Sequence, residues 1–444
     1  MMRKCFVTLG GMLALFTMLS LPRLADARTL APQDQQQSGQ QPTYTLAEYN
    51  AFQACRAETN AQARVKCLDD FVAKFPNSTL MQYVYQLYID TYKQQNNFAK
   101  IVESADKLLA LGDKIPPQGR LQALVARCTA FESSYNAKAP DVQEQITKER
   151  DAAQQGLKLL NELPKPANVS DEQFAEQKKP ANSFFYNALG FANLQAKDFK
   201  AAADAFKNAV AANPKDAVAY YRLGIAYLQQ NPPQSLDGFW AVAKAIDLKA
   251  PGEAQVRTYL RGQIQRYQMS GCDDLLDAQV NELLTLAQNS ADRPATYSLP
   301  SSADLDKIRQ GSTILTVLND LKAGGDKAKM TWLAVCGSEF QDVPGRIIEM
   351  TSDDKGTTFK LYTGASQEEM DAATDPNSVI TITGPEVKRF EKGDYFRYTG
   401  TLVSYDPQPL LVHWDKARIN PEDIPPEKAE PGKRRKLPKK PGKQ

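Results

Sequence analysis

Two stretches of this chain, "ALGFANLQAKDF" at 188–199 and "RLGIAYLQQNPP" at 222–233, set a Leu-Gly pair at the same point of a helical pattern. Leu189-Gly190 and Leu223-Gly224 lie 34 residues apart. A unit that short forms one helix pair and leaves an apolar face bare, so it is stable only stacked on neighbours. In the first unit Tyr186, Leu189 and Gly190 share one helix, Ala202, Phe206 and Ala209 the next, and Pro214 closes it. The second unit supplies Tyr220, Leu223, Gly224 and Tyr227. Its second helix, with Gly238, Val242 and Ala245, runs two residues late behind Pro232-Pro233. Small residues allow close helix approach, and aromatics fill the gap to the next pair. An earlier unit repeats the frame with Tyr85, Tyr88, Tyr92, Phe98, Ala105 and Leu108. Residues 118–164 and 45–77 carry degraded versions, and 253–290 reads as one more pair, a cap.

These offsets resemble the tetratricopeptide repeat, and the resemblance covers roughly half the chain. It implies an all-α solenoid over 45–290 in which the first helix of each pair lines a concave groove for a protein or peptide partner. By position, the groove residues are Phe184, Asn187, Phe191 and Leu194 in one unit and Tyr221, Ile225, Leu228 and Gln229 in the next. The competing expectation is that several of them pack against the inserted 165–180 segment or the barrel that follows. The Lys/Asn groove by which chaperone-binding relatives hold carboxylate tails is not reproduced, because Phe191 stands where that pattern wants Asn.

After a Ser/Pro/Ala-rich break, residues 291–330 read as a helical connector, and within 331–420 the period changes to two. "GRIIEMT", "TFKLYTG", "VITIT", "DYFRYTGTLVSY" and "PLLVHWDKARI" read as five short strands parted by Asp353-Asp354-Lys355-Gly356 and Lys392-Gly393-Asp394. Five strands in so short a span predict a small barrel, so the fold class is multidomain, all-α then all-β. The "GD…YTGTL" segment resembles OB-fold barrels, with an SH3-like barrel as the competitor. Alternation turns Phe396, Tyr398, Gly400 and Leu402 inward and Tyr395, Arg397 and Thr399 outward, a face such barrels use for oligonucleotides or oligosaccharides.

The ends belong to neither domain. Residues 1–27 run from Arg3-Lys4 through the apolar "FVTLGGMLALFTMLSL" to "ADA", the order of a cleavable export signal; an uncleaved anchor in the inner membrane, facing the periplasm, is the alternative. Residues 28–44 are Gln-rich and read as a solvated linker, and 421–444 as a Pro/Lys/Arg-rich tail. The last fourteen residues carry seven Lys/Arg and no acid against an acidic body, which implies solvation with weak anion affinity. The expected location is periplasmic or secreted. Five cysteines follow the signal, an odd count that leaves at least one thiol unpaired within a monomer. Cys55 and Cys67, toward the facing ends of two predicted helices, could bridge, the alternative being small buried core cysteines without pairing.

Chemistry is sparse. The one histidine, His413, sits in the apolar "LLVHW" and reads as a satisfied barrel residue. The chain shows no C-x-x-C pair, P-loop, G-x-S-x-G elbow or dinucleotide fingerprint. The inventory points to no enzyme, no catalytic or metal site and no small-molecule cofactor. The reading is an exported interaction scaffold of a bacterial envelope, binding through the groove. The alternative is an envelope ligand binder using the barrel for oligosaccharide or nucleic acid. Sequence leaves the partner and the oligomeric state open.

Overall fold

The computed structural model describes residues 43–269, 273–354 and 356–426, the side chain of Asp274 excepted. The expected signal, most of the Gln-rich linker and most of the basic tail lie outside the described residues. The described residues form sixteen α-helices and five strands. They divide into two compact units, one of residues up to Leu260 with Leu283–Ala295, the other of Arg261–Glu282 with Thr296 onward.

The first unit is a succession of helix pairs: α1 (Leu46–Ala57) with α2 (Ala61–Lys74), α3 (Met81–Gln94) with α4 (Phe98–Leu109), α5 (Pro117–Ser134) with α6 (Val142–Glu162), α7 (Asp171–Gln195) with α8 (Phe199–Ala212), and α9 (Ala217–Leu228) with α10 (Ser235–Asp247). Short polar side chains start many of these helices. Asn60, Asn97, Ser170, Asp198 and Asp216 each accept a hydrogen bond from an amide three residues on, supplying a partner the first turn lacks.

The turns inside pairs also repeat. "QNNF" and "AKDF" each put a left-handed residue, Asn96 (φ 52°) or Lys197 (φ 62°), directly before the capping Asn97 or Asp198. The amides of Asn97 and Asp198 reach back five residues to the carbonyls of Tyr92 and Asn193, closing both helix ends alike. The same turn geometry thus closes the first helix of both pairs.

Close approach is carried by the glycines that the sequence repeats. A Cβ on Gly190 would lie 2.6 Å from the Phe206 ring, and one on Gly224 2.5 Å from Val242 Cγ2 and 2.9 Å from the Gly238 carbonyl oxygen. Neither position has room for a side chain. Between pairs, Phe206, Ala209, Ala219, Leu223 and Ala226 form one buried cluster spanning α8, α9 and the facing side of α10. At the start of the array a disulfide joins Cys55 on α1 to Cys67 on α2, Cα atoms 5.3 Å apart. Cys128 is buried with a free thiol, and Cys336 is disulfide-bonded.

α11 (Glu253–Gln268) and α12 (Asp273–Asn289) are each divided between the two units. The second unit holds α13 (Ser302–Gly311), α14 (Ile314–Ala323), α15 (Gly325–Val335) and the strands β1 (Glu339–Asp353), β2 (Gly356–Tyr362), β3 (Ser378–Ile382), β4 (Tyr395–Pro407) and β5 (Leu410–Ile419), with the short α16 (Gln367–Ala372) between β2 and β3. The strands close into a barrel in the order β1-β2-β3-β5-β4, all antiparallel except β3 with β5. This is the order of an OB-type barrel.

The barrel departs from the sequence reading at β1, which begins at Glu339 rather than near Pro344. Register shifts at Phe340/Val343 and Ile347/Glu349 break its period-two pattern, so alternation alone does not reveal its start. The barrel interior, including Phe359, Phe396, Tyr398, Leu402 and Trp414, forms one buried cluster with Val317, Leu318, Leu321, Trp332 and Val335 of α14 and α15. The stretch read as a connector therefore contributes directly to this core. No helix among the described residues is long and apolar enough to cross a membrane.

Candidate protein-binding site

First helices of successive pairs approach one another, α5 with α7 and α7 with α9, more closely than second helices do. They therefore line the tighter, inner face. At its centre lies Phe191 of α7, with its ring edge-on to Phe131 and Tyr135 of α5 at centroid distances of 6.2 and 5.6 Å. The Arg222 guanidinium of α9 stacks over the same ring at 5.1 Å. Arg222 then reaches past α7 to Glu132 of α5, 90 residues earlier, with Nη1 donating to Oε2 at 3.1 Å and Nη2 donating to Oε1. This forked pair is only 17% and 31% exposed and ties three first helices together across the inner face.

The other positions assigned from the sequence separate by direction. Asn187 donates to Asp216 at 2.8 Å, at the start of α9. Phe184 packs edge-on to Phe185 and against the cluster between α5, α6 and α7. Tyr221 meets Tyr259 of α11 edge-on, centroids 6.0 Å apart, and Ile225 lies one turn further along α9, half-buried. Gln229 is exposed at the end of that helix. Two residues turn toward second helices. Leu194 packs into the α8–α9 cluster, and Leu228 lies over Gly238 of α10. Phe191, Tyr221, Ile225 and Gln229 are thus brought to one side together with Arg222, Glu132 and Tyr259, which sequence reasoning passed over. No local signal marks Arg222 and Glu132, because their pairing is set by how repeats stack.

The barrel face follows the alternation. Tyr395, Arg397 and Thr399 alternate with buried Phe396, Tyr398 and Gly400. Two of the three are engaged within the unit. Arg397 donates to both oxygens of Asp423 at 2.9 and 3.0 Å and to Glu422 at 3.1 Å, and its guanidinium holds the Asp423 carboxyl below the usual range. Tyr395 donates its hydroxyl to Asp371. Thr399 pairs with Arg418 across the β4–β5 ladder. His413 points out of the barrel between buried Val412 and Trp414 and pairs with Asp406 at 2.8 Å. No group of three or more His, Cys, Asp or Glu side chains placed for a metal ion occurs among the described residues.

A second constellation was also missed. Arg127 of α5, 1% exposed, donates through Nε to Asp106 of α4 at 2.7 Å and through Nη1 to Glu149 of α6, itself 1% exposed. Its sequence signal is a charge on an apolar stripe, since Leu124, Arg127 and Phe131 follow core spacing.

Comparison with known proteins supports the helical repeats at one segment. The tetratricopeptide repeat family model matches residues 193–234, the span from the end of α7 through α9. Among solved structures the chain is similar to a MamA RS-1 ArsTM double mutant, at 20% identity over 48% of this chain and 97% of that one, TM-score 0.32. It is also similar to the MamA protein, at 18% identity over 50% of this chain and 97% of that one, TM-score 0.29. None of the curated proteins compared is a match. The chain carries tetratricopeptide-type helical repeats followed by a small closed β-barrel.

Proposed function

We propose that this chain is a non-enzymatic interaction scaffold, exported by its N-terminal segment into the bacterial envelope, that holds a protein or peptide partner on the inner face of its helical repeats. Repeats of this type present rigid helical surfaces on which partners dock without remodelling the backbone. The observation that carries the reading is the aromatic inner face itself. Tyr221, Tyr259 and Phe191 come from three successive first helices, and rigid aromatic anchors bind at low entropic cost. The barrel's outward Tyr395 and Arg397 are already engaged by Asp371, Glu422 and Asp423, which weighs against their being the main recognition face.

The test compares two pairs of substitutions in the full-length protein, with partners captured from envelope extract and their affinities measured. Tyr221→Ser with Ile225→Ser removes inner-face contacts and spares Phe191, whose ring packs against α5. Loss of a central anchor commonly costs about 2 kcal/mol or more, roughly a thirtyfold weakening. Tyr395→Ser with Arg397→Ser on the barrel should leave capture unchanged. Capture abolished by the barrel pair and untouched by the groove pair would overturn the reading in favour of an oligosaccharide or nucleic-acid binder.

A further inference from the structure

The Asp106–Arg127–Glu149 network sits where two helix pairs join. Arg127 lies on α5, Asp106 on α4 and Glu149 on α6, so one guanidinium ties the second pair to both helices of the third. Its charges do not balance. One guanidinium faces two carboxylates, and its Nη2 is buried without a hydrogen-bond partner. The carboxylates are also unequal. Asp106 is 32% exposed and shares its charge with solvent, whereas Glu149 is enclosed. The groups facing Glu149 from α5 are Arg127, the Cys128 thiol and Glu132, and from α4 Asp106. From α7 the neighbouring clusters present Phe185, Ala188 and Ala192, none of them ionisable. On α6 itself the adjacent Lys148 is taken by Glu144, and Glu132 is taken by Arg222. The surplus negative charge is therefore buried at Glu149.

We propose that this network is a proton-operated joint between the second and third helix pairs, locked while Glu149 carries a proton and loosened when it gives the proton up. With Glu149 neutral, Arg127 and Asp106 form a balanced pair, and the carboxyl still accepts from Nη1. With Glu149 ionised, an uncompensated charge sits in the core. Burial pushes the Glu149 carboxyl up from its ordinary 4.5 to about 7, with Arg127 opposing the rise only in part. A carboxyl raised in the folded state holds a proton that the unfolded chain has already released. Its stabilising contribution is complete below 4.5 and is lost as pH rises through about 7. The joint therefore loosens progressively as pH rises from 4.5 to about 7 and is fully loose above that. Asp106 and Phe131, which both contact the Arg127 guanidinium, line a cleft of 630 Å³ between α4, α5 and α6, where the loosening would surface.

The experiment is hydrogen exchange of the full-length protein across pH 4.5–8.5, corrected for intrinsic rates and read over residues 98–162. Protection in the wild type should fall by about a hundredfold between pH 4.5 and 8, the linkage expected for this shift. Glu149→Gln keeps the shape and removes the titration, so its protection should stay flat. Asp106→Asn leaves one carboxylate per guanidinium, which should move the wild-type transition to lower pH. The Glu149 carboxyl resonance, titrated directly, should have a midpoint near 7 in the wild type and below that in Asp106→Asn. Parallel protection curves for wild type and Glu149→Gln would overturn the proposal. So would an unchanged midpoint in Asp106→Asn, and that comparison decides the matter even where the glutamine variant fails to fold.

Discussion

Replacing Gly224 by Ala separates close packing from helix propensity, because the two effects have opposite signs at this site. In an exposed helix interior, Gly→Ala stabilises by about 1 kcal/mol through reduced backbone entropy in the unfolded chain. At Gly224 the new methyl would stand 2.5 Å from Val242 Cγ2, 2.9 Å from the Gly238 carbonyl oxygen and 3.1 Å from the Val242 amide nitrogen. Two of these three neighbours are backbone atoms, so no rotamer change relieves the contact and α9 must move away from α10. Overpacking of this kind costs about 1–3 kcal/mol, and the backbone contacts place it in the upper part of that range. The net expectation is destabilisation by about 1–2 kcal/mol, the difference between that cost and the propensity gain. Gly262→Ala in α11 is the control, since nothing lies within 4 Å of the added methyl and only the propensity gain of about 1 kcal/mol remains. Thermal and urea unfolding of both variants, with hydrogen exchange to localise the change to 217–247, reads the two signs. A Gly224→Ala protein as stable as the wild type would refute the claim that this glycine marks the point of closest helix approach.

Two further outcomes follow from named contacts. The Cys55–Cys67 disulfide closes a loop with a sequence separation of 12, so replacing both cysteines by Ser should destabilise α1 and α2 by about 3 kcal/mol; limited proteolysis under oxidising and reducing conditions should show cleavage beginning there. Arg222→Glu should destabilise the α5–α9 region by opposing Glu132 with a like charge, and adding Glu132→Arg should restore most of the loss. A double-mutant cycle for this half-buried forked pair should give a coupling of about 1–2 kcal/mol, above the range of exposed pairs.

Much of the architecture was legible in the chain. The 34-residue recurrence fixes the helix pairs because a glycine at a point of close approach and an aromatic at a gap are demanded by local geometry, and local geometry repeats. The change of period near 340 fixes the barrel for the same kind of reason: strands that wall a core must alternate, and Tyr395–Leu402 alternate without a break. What sequence did not disclose depends on residues far apart in the chain. Arg222 and Glu132 are 90 positions apart and meet only because α5, α7 and α9 stack side by side. Arg127 stands on an apolar stripe, and only packing reveals that Asp106 and Glu149 arrive from two other helices to meet it. Leu194 and Leu228, on first helices like the rest of the groove set, turn toward α8–α10, because a helix in this array packs on more than one side. The β1 start was hidden by two register shifts that break alternation where the strand must bend. Periodicity determines which elements form and which face of each is buried. Charge pairing between elements is decided by the superhelical stacking that brings distant repeats together, and no short stretch of sequence encodes that stacking alone.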